Sequence, residues 1–116
     1  LRKWDVHALP DEDVYFNIIH SAMAMQKIRN FLNSPCIVTS WYRPKEYNKL
    51  IGGSDRSAHI EGRAVDFVVQ GMDCDQVRMK LLPMLEKWNI RMEDKPGANW
   101  VHIDTRQVGV NRYFKA

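Results

Sequence analysis

The sequence predicts a domain that mixes α-helices with β-strands, and three observations carry that reading. Apolar residues recur at helical spacing over residues 11–33, the stretches 63–69 and 100–104 alternate with period two, and Lys95-Pro96-Gly97-Ala98 supplies a turn between two strand-like runs. With 116 residues, 45% hydrophobic and 27% charged, the chain reads as one domain over 1–116 that needs no disulfide framework. No apolar run approaches the ~20 residues that cross a bilayer, so no membrane span is expected. The formal charge of +3 would favour approach to an anionic polymer such as nucleic acid or a bacterial envelope. Lys and Arg are scattered, however, and no basic strand is interleaved with aromatics, so nucleic acid is not expected as a partner. Cys36 and Cys74 read as free buried thiols. The chain opens with Leu1 and no signal peptide precedes the domain, which suits a processed, trimmed or excised sequence.

The elements follow in order. Residues 11–33 form an amphipathic helix capped by Asp11 or Asp13, with Val14, Ile18, Ala22, Met25, Ile28 and Leu32 on its apolar stripe and His20 off it. Met23 and Met25 serve as core fillers there, not as soft metal ligands. Asn33-Ser34-Pro35 ends the helix, and the β-branched, aromatic run 36–42 is a strand that stops at Arg43-Pro44. Pro44 starts a short helix to about Leu50, which Gly52-Gly53 ends before a loop carrying Ser57 and His59. That loop lacks the glycine spacing of a phosphate cradle. In the strand 63–69, Val65, Phe67 and Val69 share one face while Ala64, Asp66 and Val68 share the other. Asp73 or Asp75 caps a second helix whose Val77, Leu81, Leu85 and Trp88 form one face and which Pro83 kinks. Residues 89–94 and 100–104 are then strands of a hairpin, and the basic, aromatic tail after Arg106 has no assigned element.

The chemistry concentrates in two places. Asp66 interrupts an apolar strand, and His102 lies on the face of the last strand opposite Val101 and Ile103, so pairing these strands sets Asp66 near His102. His59 would reach the same point from the turn before the first strand, where Gly62 lets the backbone bend. Taken singly, each is an ordinary hydrogen-bonded residue. Together they make zinc the simpler account, because a half-buried carboxylate costs several kcal/mol unless it is paired or metal-bound. Two histidines and a carboxylate are the ligand types of a catalytic zinc site, which keeps its fourth position for water of pKa about 7. Hydrolysis is the reaction class this implies.

At these residues the chain resembles a known family. Ser57, His59, Gly62, Ala64 and Asp66 match, position by position, the Ser-x-His-x-x-Gly-x-Ala-x-Asp motif of the zinc D-alanyl-D-alanine carboxypeptidases and L-alanyl-D-glutamate endolysin peptidases, and His102 matches their final ligand. Ser40-Trp41-Tyr42-Arg43-Pro44 with Asn48 is similar to the segment before that motif, where an arginine helps hold substrate. The stretch 59–66 is also similar to the zinc segment of the Hedgehog signalling domain, and 100–105 to bacterial murein endopeptidases of the same superfamily. The resemblance implies an α+β domain in which helices pack on a small antiparallel sheet, one Zn2+ held by His59, Asp66 and His102, and a monomer. It further implies hydrolysis of an amide bond in peptidoglycan stem peptides or cross-links. Such a protein would work in the cell envelope, periplasm or extracellular space, or act on a host wall as a phage product.

One position departs from the pattern. In several members an acidic residue three positions before the final histidine is the general base, and here Asn99 stands there. An amide cannot accept that proton, so Glu93, at the end of the strand preceding the hairpin turn, is the candidate base. Arg43 is the candidate clamp for a substrate carboxylate. Ser57, Ser40, Asp104 and Trp100 are candidates for binding substrate or for supporting the ligands, with Asp104 suited to orienting an imidazole and Trp41 to walling the cleft. The competing class is a non-catalytic zinc-stabilised binding module of a phage or envelope protein. His7 as a fourth ligand would favour that class by closing the site.

Overall fold

A computed structural model describes residues 12–53, 57–107 and 111–115 of the chain. Helix α1 spans Glu12–Leu32, with Glu12 and Asp13 at its positively polarised start and Arg29 in its last turn. Its buried side is Ser21, Ala24, Met25, Ile28 and Leu32, a stripe at three- and four-residue spacing. Val14, Ile18 and Ala22 are half-buried, and Asp13 lies inside the first turn; Asp11, the other expected cap, lies outside the described residues. Asn33 takes a left-handed conformation, φ 52°, and the chain turns into strand β1, Cys36–Ser40. Helix α2, Lys45–Leu50, begins just after Pro44, and Gly52, at φ 79°, closes it.

Strand β2 is Ala64–Val69, with Val65, Phe67 and Val69 buried as the alternation predicts. Helix α3, Cys74–Leu81, is capped by the Asp73 side chain, which accepts a hydrogen bond from the Gln76 amide at 2.9 Å. The single kinked helix expected over 73–88 is instead three pieces: α3, a 3-10 turn at Leu82–Met84, and helix α4, Leu85–Trp88. Pro83 has no amide hydrogen to donate to the preceding turn, so it breaks the α-ladder and does not merely bend it. Strands β3, Arg91–Glu93, and β4, Val101–Asp104, form the expected antiparallel pair, and β5 is Tyr113–Phe114.

The five strands run in the order β1-β2-β4-β3-β5. Each neighbouring pair among the first four is antiparallel, but β5 lies parallel to β3, with Met92 opposite Tyr113 and Glu93 opposite Phe114. The α+β class therefore holds while the sheet is mixed, because the tail that the sequence left unassigned adds a strand to the β3 edge. One face of the sheet carries Val65, Phe67, Met92, Val101 and Ile103, all fully buried with Ile28 of α1 and Val77 and Leu81 of α3. The opposite face carries Asp66, His102, Asp104 and Arg91.

The turn 57–63 before β2 is tied to α1. Gly62 has φ +74°, and a Cβ there would meet Ile18 Cγ1 at 2.7 Å and the Val14 carbonyl oxygen at 3.0 Å. The Ser21 hydroxyl lies 3.0 Å from the Gly62 carbonyl oxygen, and Asn17 Nδ2 donates to the Glu61 carbonyl at 3.0 Å. Gly62 thus answers two demands, left-handed backbone and contact with the helix. Gly62→Ala should lower the stability of metal-free protein by about 2–5 kcal/mol in urea unfolding, combining backbone strain and overpacking. Gly71→Ala, whose methyl would meet nothing within 4 Å at φ +81°, should lose only the backbone share of about 1–2 kcal/mol. Equal losses at the two positions would remove the helix contact as a cause.

Candidate metal centre

Antiparallel register sets Asp66 on β2 directly opposite His102 on β4, and Ala64 opposite Asp104. Side chains at opposed positions share a face, so the carboxylate and the imidazole meet without further adjustment. His102 Nδ1 lies 2.7 Å from Asp66 Oδ1. His59, buried in the turn before β2, brings Nε2 to 3.2 Å from Asp66 Oδ2. One donor atom from each of His59, Asp66 and His102 lies within 4.8 Å of the others.

The hydrogen bonds around this group fix which nitrogens face inward. His59 Nδ1 lies 2.8 Å from the Trp41 carbonyl oxygen. A carbonyl only accepts, so Nδ1 carries the hydrogen, and in the neutral imidazole Nε2 presents a lone pair toward Asp66. Two acceptors facing each other at 3.2 Å require a positive species between them, a proton or a metal ion. The donor set therefore fits zinc on chemical grounds: a neutral histidine of fixed tautomer, a carboxylate and a second imidazole.

His102 is held from behind. Its Nε2 is 3.5 Å from Asp104 Oδ2, and Asp104 is only 1% exposed. Arg91 grips that carboxylate with two hydrogen bonds, Nε to Oδ1 at 2.8 Å and Nη2 to Oδ2 at 3.0 Å, and the Arg106 amide adds a third at 3.1 Å. Phe114 of β5 covers the guanidinium, its ring centroid 4.1 Å from Arg91 Cζ. Burial acts to raise the pKa of Asp104, but hydrogen bonds from His102 and Arg91 and their charges outweigh it and hold the carboxyl below its usual value. Burial likewise acts to raise the Asp66 pKa, and His102 and His59 together hold it well below the usual carboxylate range. For His102 the burial penalty is overcome by the Asp104 and Asp66 carboxylates, which raise its pKa to about 9.

The group opens onto a cavity of about 320 Å³ whose lining also includes Arg43, Ser57, Glu93, Trp100, Asp104 and Arg106. Glu93 alternates with Arg91 along β3 and so lies on the His102 face. Asn99 is exposed and is not among the lining residues. Arg43 is anchored by its amide to the His59 carbonyl at 3.0 Å and by Nη1 to Asn48 Oδ1 at 2.9 Å, while its Nε is buried without a partner among the described residues. Asn48 is itself buried, and a Cβ at Gly53 would fall 2.3 Å from its Oδ1. The glycine at 53 thus makes room for the amide that steadies Arg43. The Ser57 hydroxyl accepts from the His59 amide at 3.2 Å, which shapes the turn.

Ser40 is the register partner of Asp66 and is not among the residues that line the cavity. One expectation is corrected. Trp41 does not wall the cleft; its ring turns to the α1 side, where Nε1 donates to Ser21 Oγ at 2.8 Å, and only its carbonyl serves the site. His7 lies outside the described residues. Sequence reasoning missed Arg91, Arg106 and Phe114. Period two through Glu93 could have found Arg91, whereas Phe114 belongs to a strand without any sequence signal.

The loop 94–100 that joins Glu93 to the His102 strand is held by helix α3. Arg78, 3% exposed, donates Nη1 to the Trp100 carbonyl at 2.8 Å and Nη2 to the Ala98 carbonyl at 3.1 Å. Asp75 Oδ1 lies 2.5 Å from Arg78 Nη2 and accepts the Gly97 amide at 3.0 Å. The Arg78 hydrogen bond and the Gly97 amide hold the Asp75 carboxyl below its ordinary 3.8.

With this geometry in view, comparison with known families gives a direct result: the model of Peptidase M15 matches residues 6–104. The chain therefore belongs to the M15 peptidases, a family of zinc peptidases, and His59, Asp66 and His102 are the group among the described residues that could hold a metal ion. No curated protein sequence matches the chain. No helix among the described residues is long and apolar enough to cross a membrane.

Asp104→Asn should weaken zinc binding by about 10- to 100-fold in chelator competition, with the circular dichroism of the folded chain retained, because the imidazole loses the carboxylate behind it. An unchanged affinity would show that Asp104 serves Arg91 alone. Because Asp75 titrates lower when folded than unfolded, its contribution is complete above its ordinary value of 3.8 and is lost as pH falls through the folded value. Asp75→Asn should accordingly flatten the acid loss of stability below about pH 4 in metal-free protein, measured by urea unfolding at successive pH values.

Proposed function

We propose that this chain is a zinc-dependent peptidase that hydrolyses an amide bond of bacterial peptidoglycan, in a stem peptide or a cross-link. The observation that carries the reading is that His59, Asp66 and His102 form a three-donor group, without a fourth His, Cys, Asp or Glu in it among the described residues, at a cavity also lined by Glu93 and Arg43. A structural zinc site closes all four positions with protein ligands, whereas three ligands beside a cavity suit catalysis. Membership of the M15 peptidases supports the reaction class, and the match of Ser57, His59, Gly62, Ala64, Asp66 and His102 to wall-degrading relatives supports the substrate.

Zinc, when bound here, supplies Lewis-acid chemistry, polarising a carbonyl and lowering the pKa of a water. The side chains supply the rest. Glu93 takes the proton of the attacking water and passes it to the leaving amine, since it is the carboxylate that lines the cavity without the hydrogen bonds that commit Asp104 to Arg91. Arg43 offers its buried, unpartnered Nε–H to a carboxylate of the substrate while Asn48 holds the other arm of the guanidinium. Trp100 forms an apolar wall beside them. The position of Asn99 outside the lining means that a base at 99 is not what this cavity would use.

The reading is tested by muropeptide chromatography after incubating purified peptidoglycan with zinc-loaded protein, with chelated protein and Glu93→Gln in parallel. Metal-dependent cleavage is expected, with turnover of Glu93→Gln reduced by about 10²- to 10⁴-fold at unchanged zinc content. Unchanged turnover would remove Glu93 as the base. One bound zinc with no cleavage by the wild-type chain would replace the peptidase with the zinc-stabilised binding module.

A further inference from the structure

A second cavity lies on the other face of the sheet. Along the end of β4 and its extension the chain alternates: His102, Asp104 and Arg106 line the metal-side cavity, whereas Thr105 lines a separate one between α1 and the segment 88–90. At about 470 Å³ it is the larger of the two.

Its chemistry is one-sided. Lys27 and His20 of α1 line it and make no hydrogen bond or ion pair among the described residues, and Arg63 lines it from the start of β2; no carboxylate does. Trp88 and Phe16, the latter 58% exposed, add apolar surface to the same lining. At the floor, Thr105 is only 8% exposed, and its hydroxyl is buried without a hydrogen-bond partner among the described residues. A buried hydroxyl left unpaired costs about 1–3 kcal/mol, so a partner from beyond the described residues is favoured there.

We propose that this cavity is a second binding site, separate from the metal centre, for a small molecule carrying a carboxylate on an apolar body. The carboxylate pairs with Lys27 and Arg63, the body lies against Trp88 and Phe16, and a polar atom of the ligand meets the Thr105 hydroxyl. The site joins the metal side through one carboxylate: Glu61 Oε1 lies 3.7 Å from Arg63 Nε and 3.0 Å from Arg106 Nε. An anion drawn to Arg63 therefore competes with an ion pair that also steadies Arg106 in the metal-side cavity. The proposal rests on this cavity alone and holds whether or not the chain cleaves peptidoglycan.

The test is amide-shift titration of the zinc-loaded chain. N-acetylphenylalanine represents a peptide carboxyl end, N-acetylmuramic acid an acidic sugar, and N-acetylphenylalanine amide is the uncharged control. Saturable shifts at Trp88, Asn89, Thr105 and Gln107 with a Kd in the millimolar range or tighter are expected for at least one of the acids. The tighter acid identifies the source. Lys27→Glu should weaken that binding by about tenfold without altering zinc content. Thr105→Val should weaken it by a smaller factor and leave stability equal or higher, since it removes an unpaired hydroxyl. Shifts confined to Glu93, Trp100 and His102, or equal binding of the amide control, would overturn the proposal.

Discussion

Asp66 is a carboxylate set on an inner strand of a sheet, and its demand for positive partners governs the arrangement around it. On β2 it is flanked by Val65 and Phe67, both fully buried, so water reaches it only from the cavity side. An isolated charge there would be expelled or neutralised. Instead, two imidazoles converge on its two oxygens, one from the paired strand and one from the preceding turn. Both imidazoles are committed on their far sides, His59 to the Trp41 carbonyl and His102 toward Asp104. The inward nitrogens consequently have no other partner, which is the condition for holding a cation tightly and for holding it in one place.

The supports of the centre extend into the core by short steps. Trp41 presents its carbonyl to His59 and its indole nitrogen to Ser21 of α1, and Ser21 also lies against the Gly62 carbonyl. The long helix is thus more than apolar cover. It fixes the turn that carries His59, and Gly62 is the residue that lets the two approach. On the other side, buried Arg78 and its exposed partner Asp75 pin the loop between Glu93 and the His102 strand to helix α3. The residues nearest the chemistry therefore stand on strands and on a braced turn, where a small displacement is resisted by packing.

Charge is distributed differently on the two faces of the sheet. The metal side balances Asp66, Asp104 and Glu93 against Arg43, Arg91 and Arg106, and most of these groups are paired. Among the described residues, the cavity on the helix side is lined by Lys27 and Arg63 and by no carboxylate. The shared Glu61 carboxylate lies between the two, bonded to Arg106 and close to Arg63, so the faces differ in what they can bind while remaining electrostatically in touch.

The strands of period two, the first helix and the three donors were legible in the sequence because each leaves a local pattern. Alternation through Val65, Phe67 and Val69 sets Asp66 on the opposite face whatever its neighbours are, and the same holds for His102 between Val101 and Ile103. Other features had no local signature. The parallel pairing of β5 with β3, the ring of Phe114 over Arg91, and the turning of the Trp41 ring toward Ser21 depend on which segments meet in space. Pro83 signalled a disturbed helix, and the structure shows a break into a 3-10 turn at Leu82–Met84 where a bend was expected. Sequence by itself determined the donor types and the strand face that Asp66 and His102 share, since side-chain alternation follows from strand geometry. Tertiary structure decided their tautomers, their supports and the second cavity, because those depend on contacts between residues far apart in the chain.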